Sequence, residues 1–130
     1  MSDLTPMDHP LAAPYFQEAR QGRLVVQRCN ACGALRWPPL SGCPECHSRD
    51  TTWVDVAPRG TIWSFVVYHR AFAAELKSQI PYTVALVELD AGPYMVGRVI
   101  PGPKPPAVGD RAVAEFVVTA GEPSVHWRIA

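Results

Sequence analysis

The chain has no surplus of charge of either sign. Twelve lysines and arginines balance twelve aspartates and glutamates among its 130 residues. A domain that grips nucleic acid through phosphates carries a basic excess, so the balance counts against nucleic acid as a partner. Lysine is scarce, at Lys77 and Lys104 only; the other ten basic residues are arginines. No apolar run approaches the ~20 residues of a membrane span. The first eight residues carry two acids and no apolar stretch, which is not the pattern of a targeting peptide. The expectation is a cytoplasmic protein. Catalytic signatures are also missing: there is no G-x-S-x-G elbow, no H-E-x-x-H and no phosphate-cradling glycine loop. His9, His47, His69 and His126 stand in no recognisable grouping with a nucleophile. On this reading the chain is not an enzyme by itself.

Cysteine is equally sparse, but it is arranged. Cys29 and Cys32 form one C-x-x-C, Cys43 and Cys46 form another, and ten residues separate them. Two such knuckles brought together give four thiolates at the corners of a tetrahedron, the ligand set of a zinc ribbon. Gly33 follows the first pair and Gly42 precedes the second, where the chain must reverse. The competing reading is two disulfides or four unrelated buried thiols; disulfides require an oxidising compartment that no secretory signal supports. Four sulfurs leave no open coordination position, so the expected ion is one structural Zn²⁺ per chain.

The rest of the chain divides around this ribbon. Residues 1–22 form an N-terminal segment with a short helix expected from Pro10 to Gln21, ended by Gly22. Residues 23–57 form the ribbon, with strands expected over Arg23–Arg28 and Thr51–Val56. From residue 58 to 130 the pattern shifts to β-branched and aromatic runs separated by turns. Strands are expected over Thr61–His69, Pro81–Asp90, Tyr94–Ile100, Arg111–Thr119 and Ser124–Ile129, with a stiff proline loop at 101–106. The fold class is mainly β: a short helix, a rubredoxin-like ribbon and a five-stranded antiparallel OB-fold barrel.

Several segments carry a family resemblance. Arg36-Trp37-Pro38-Pro39 precedes the second cysteine pair, Gly60-Thr61-Ile62-Trp63-Ser64 opens the barrel, and Ile80-Pro81-Tyr82-Thr83 begins its second strand. From about Pro10 to Ile129 the chain resembles the zinc-ribbon/OB-fold proteins catalogued as domain of unknown function 35. That resemblance implies a non-catalytic accessory subunit. Members associate with thiolase-fold enzymes, including lipid-transfer-type thiolases and aldolases, and help to hold acyl-CoA while the partner supplies the catalytic residues. Activity would then appear only with the partner.

Some side chains stand out as contacts for acyl-CoA or for the partner. Tyr68, His69 and Arg70 at the end of the first barrel strand could form a stacking and charge platform. Tyr82 belongs to the opening of strand two. Arg98 lies in mid-strand between Gly97 and Val99, where a charge should point outward, toward solvent, a phosphate or a partner carboxylate. Arg36 and Trp37 are expected to be exposed on the ribbon loop, as residue types enriched at interface hot spots; alternatively Trp37 covers the zinc. Alternation puts Trp63, Phe65 and Val67 on one face of the first barrel strand and Ser64, Val66 and Tyr68 on the other, most of them core. The alternative function is a module for single-stranded nucleic acid. Arg20, Arg23 and Arg28 would supply its charge and exposed aromatics would stack its bases.

Overall fold

A computed structural model describes residues 9–71, 73–119 and 121–130, without the side chains of residues 75 and 119. Residues 1–8 of the N-terminal segment lie outside the described residues. The helix α1 runs over Ala13–Ala19 and buries Tyr15 and Ala19, four positions apart on one face. It is shorter than expected at both ends. A turn on the His9 carbonyl precedes it, and Pro14, which lacks an N–H, fits its first turn. Gly22 has φ 79°, the left-handed value that ends a helix.

The ribbon is a three-stranded antiparallel sheet of β1 (Val25–Cys29), β2 (Leu35–Arg36) and β3 (Thr51–Asp55), with β1 in the middle. The barrel follows: β4 (Arg59–Tyr68), β5 (Tyr82–Leu89), β6 (Tyr94–Val99), β7 (Arg111–Thr119) and β8 (Glu122–Ile129). Its strands close in the order β4-β5-β6-β8-β7, and β6 and β8 are parallel. Closure leaves no long edge strand to pair with other chains. The five strands match the expected set within a few residues, and the class is mainly β with one short helix.

One strand departs from simple alternation. The β4–β5 register slips between Ile62 and Ser64, so Trp63 is an extra residue in the ladder. Ile62 is buried and Phe65 half-buried, while Trp63 is 58% exposed. The expectation that Trp63 shares a core face with Phe65 is therefore corrected, because a bulge resets the period. Val66 and Val67 are also exposed rather than core.

A single hydrophobic core joins ribbon and barrel. It runs from Leu24, Val25 and Val26 through Tyr15 to Ile62, Leu89, Met95 and Trp127. Tyr15 is the joint. Its ring lies 4.3 Å from that of Trp37 in the ribbon and 6.5 Å from that of Phe116 in the barrel, centre to centre. Its hydroxyl meets the Met95 sulfur at 3.9 Å. Burial pushes the Tyr15 pKa up, so the phenol stays neutral.

Candidate functional site

The two knuckles are built alike. In the first, Gly33 N–H donates to the Cys29 carbonyl at 2.8 Å; in the second, His47 N–H donates to the Cys43 carbonyl at 2.8 Å. Gly33 and His47 each sit four residues after the first cysteine of their pair, and both have positive φ, 78° and 66°. His47 thus holds a backbone position suited to glycine. The four sulfurs lie within 4.8 Å of one another. Cys29 and Cys46 are 3.5 Å apart and Cys32 and Cys43 3.6 Å apart. A tetrahedron with ~2.3 Å Zn–S bonds has edges of about 3.8 Å, whereas a disulfide would need ~2.05 Å. The donor set fits one Zn²⁺. Bound there, the ion would cross-link the knuckles and offer no open position for chemistry. The Cys32 N–H, donated to the Cys29 sulfur, is the main reason that thiol is held down to about 6, and the Cys46 N–H lowers Cys43 in the same way. Asn30 ties the first knuckle to β3 through Asp50 and Thr52, both at 2.9 Å.

Arg36 is not exposed, which corrects the expectation from sequence. Pairing of β2 with β1 turns it inward, to 7% exposure. Its guanidinium donates to Thr51 Oγ1 at 2.7 Å and to the Leu40 carbonyl at 3.1 Å. Trp37 is half-buried and packs on Tyr15. Arg36 thus ties segments of the ribbon to one another, and Trp37 joins the ribbon to α1.

Tyr68, Tyr82 and Arg98 do come together. The Tyr68 and Tyr82 rings stack at 5.1 Å, and the Arg98 guanidinium lies 4.5 Å over Tyr82. Arg98 also donates to Gln79 Oε1 at 2.5 Å. Tyr82 and Arg98 line a groove of about 590 Å³ walled by Phe65, Val67 and the proline loop with Lys104. His69 and Arg70 are exposed at the end of β4 and do not line this groove.

Two features escaped the sequence reading. The first is an apolar patch on the outside of β4, β5 and β6. Trp63, Val66 and Val96 are more than half exposed, and Tyr94 meets Trp63 edge-on at 5.6 Å. The second is His126, which lies directly opposite Arg98 on β6 and Glu115 on β7. Its pKa is lowered, first by burial and then by the Arg98 charge, with Glu115 opposing. Alternation marks each strand's outer face; only the parallel pairing of β6 with β8 sets His126 beside Arg98.

Comparison with known proteins adds the decisive observation. Residues 16–52 match the model of the ChsH2 rubredoxin-like zinc ribbon domain, and residues 53–117 match the ChsH2 C-terminal OB-fold domain. This chain belongs to the ChsH2 family. A solved ChsH2-type chain, from the structure called Ltp2-ChsH2(DUF35) aldolase, superposes with TM-score 0.83 and 31% identity. The match covers 99% of this chain and 98% of that one. A probable enoyl-CoA hydratase alpha subunit of Thermomonospora curvata is 42% identical over 86 residues, 66% of this chain and 26% of that protein. The benzoylsuccinyl-CoA thiolase subunit BbsA of Thauera aromatica is 32% identical over 83 residues, 62% of this chain and 54% of that protein. The chain therefore spans between a quarter and about half of the length of these hydratase and thiolase subunits. Among the described residues, no helix is long and apolar enough to cross a membrane.

Proposed function

We propose that this ChsH2-type chain is a non-catalytic accessory subunit that docks on a thiolase-fold partner and helps it to hold an acyl-CoA. The observation that carries this reading is the whole-length likeness to the ChsH2 chain of an Ltp2-ChsH2 aldolase. The thiolase subunit from Thauera supports the same partner class. The physical surface agrees with it. A contiguous apolar patch of Trp63, Val66, Val96 and Tyr94 on a small domain is the kind of face that partners cover. Beside it, Tyr82, Arg98 and Lys104 border a groove with an apolar wall and two cations, which suits a phosphate-bearing chain with a flexible arm. The zinc ribbon's part is structural.

The test is affinity capture of the tagged chain from its own cell lysate, with nuclease treatment, a moderate-salt wash and mass spectrometry. Stoichiometric recovery of a thiolase-fold protein, lost when Trp63 and Val96 are changed to Ser, is the expected result. Protected nucleic acid with no such protein would overturn the proposal in favour of a nucleic-acid module.

A further inference from the structure

Adjoining the first groove, with which it shares Gln79, Arg98, Val99, Ile100 and Pro101, is a second of about 650 Å³, lined also by Leu76 from the 3-10 turn at Ala74–Leu76 and by Val117 and His126. Leu76, Val99, Ile100 and Val117 give it an apolar lining, and Arg98 and His126 are its two nitrogen bases. We propose that this groove is a phosphate-recognising subsite in which Arg98 and His126 act as paired donors. Its apolar lining takes an uncharged part of the same ligand. The proposal deepens the acyl-CoA reading above and rests on it only for the identity of the phosphate's carrier.

The geometry supplies the reasons. Register sets Arg98 and His126 directly opposite each other on parallel strands, which brings neighbouring outward side chains within reach of one small anion. The Arg98 guanidinium is positioned by two neutral groups, the Gln79 amide and the Tyr82 ring, so its charge is oriented without being cancelled by either. His126 is held in place by Ser124, whose hydroxyl lies 3.3 Å from Nε2. The charged groups facing His126 are Arg98 from β6 and Glu115 from β7; Glu115 is itself paired with Arg128 on β8. Leu76 and Gln79, from the connection that walls the groove, are uncharged. With burial and Arg98 both favouring the neutral ring, an incoming phosphate reverses the balance and draws a proton onto His126. Phosphate affinity is thus coupled to pH: protonation of His126 strengthens binding on acidification from pH 7.5 to 6.0, against the loss of the phosphate's own second charge near pH 6.

The experiment is a titration of the zinc-loaded full chain with CoA and, separately, with inorganic phosphate. It is followed by calorimetry and by the imidazole resonances, with His126 assigned through His126→Gln. The expected result is CoA binding that moves the His126 resonances and strengthens at pH 6.0. His126→Gln and Arg98→Gln should each weaken it about tenfold, as expected for losing one charge-assisted hydrogen bond. In His126→Gln the strengthening on acidification should be lost, leaving only the weakening caused by the phosphate's own protonation. If inorganic phosphate moves His126 as strongly as CoA does at equal concentration, the subsite stands and its carrier is a simple phosphate. No His126 response to either probe, or unchanged affinities in both variants, overturns the subsite. Capture of a thiolase-fold partner alongside that failure would leave the accessory role standing, and a His126 response without such a partner would do the reverse.

Discussion

Tyr15 gives the sharpest test of how this chain is held together. It is 5% exposed, and its ring touches Trp37 of the ribbon and Phe116 of the barrel. Tyr15→Ala removes those contacts and leaves a cavity where helix, ribbon and barrel meet. Truncating a buried aromatic to alanine costs about 3–5 kcal/mol. For a chain of this length each kcal/mol corresponds to about 3–5 °C in Tm, so the loss should be about 9–25 °C. Tyr15→Phe keeps the ring and gives up only a hydroxyl 3.9 Å from the Met95 sulfur, so it should cost about 1 kcal/mol or less. The assay is scanning calorimetry of the zinc-loaded protein, with both variants beside the parent. A shared core further requires that the parent melt in one transition. An alanine variant within about 3 °C of the parent, or a parent that melts in two steps, would refute the single-core argument.

Four other outcomes are expected. Changing Cys29 and Cys32 together to Ser should abolish stoichiometric zinc binding and, because such sites carry about 10–16 kcal/mol in zinc-finger peptides, unfold the ribbon; zinc analysis with circular dichroism checks both. His47→Gly should raise stability by about 1 kcal/mol in urea melts, because a left-handed backbone is costly for any side chain. Gly60→Ala should cost several kcal/mol or prevent folding, since the new Cβ would fall 2.1 Å from the Glu88 carbonyl oxygen; expression yield and melting temperature report it. Asp90 accepts two hydrogen bonds from Arg111, at 2.8 and 2.7 Å, and its pKa is lowered chiefly by that contact. Its contribution is present above pH ~4 and fades as acid titrates it through the lowered value, so Asp90→Asn should flatten the acid limb of a stability profile.

Much of this was legible from local pattern. Cysteine spacing gave the ribbon because a tetrahedral ion leaves few ways to space two knuckles. Turn residues and β-branched runs gave the barrel strands to within a few residues. The failures are non-local or out of period. Arg36 read as exposed because a charge before two prolines resembles a loop, yet pairing with Gln27 aims it at Thr51. Trp63 read as core because alternation cannot show where a ladder slips. His126 read as an isolated strand histidine, since nothing within β8 records that β6 lies beside it in parallel.

The slip at Trp63 separates two kinds of change. Ile62 before it and Phe65 after it stay directed inward whether or not the tryptophan is there, because Ser64 alone would complete the alternation. A substitution at that residue changes the outer face of β4 without moving any inward side chain. What the outer face presents is thereby uncoupled, at this one position, from what fills the barrel.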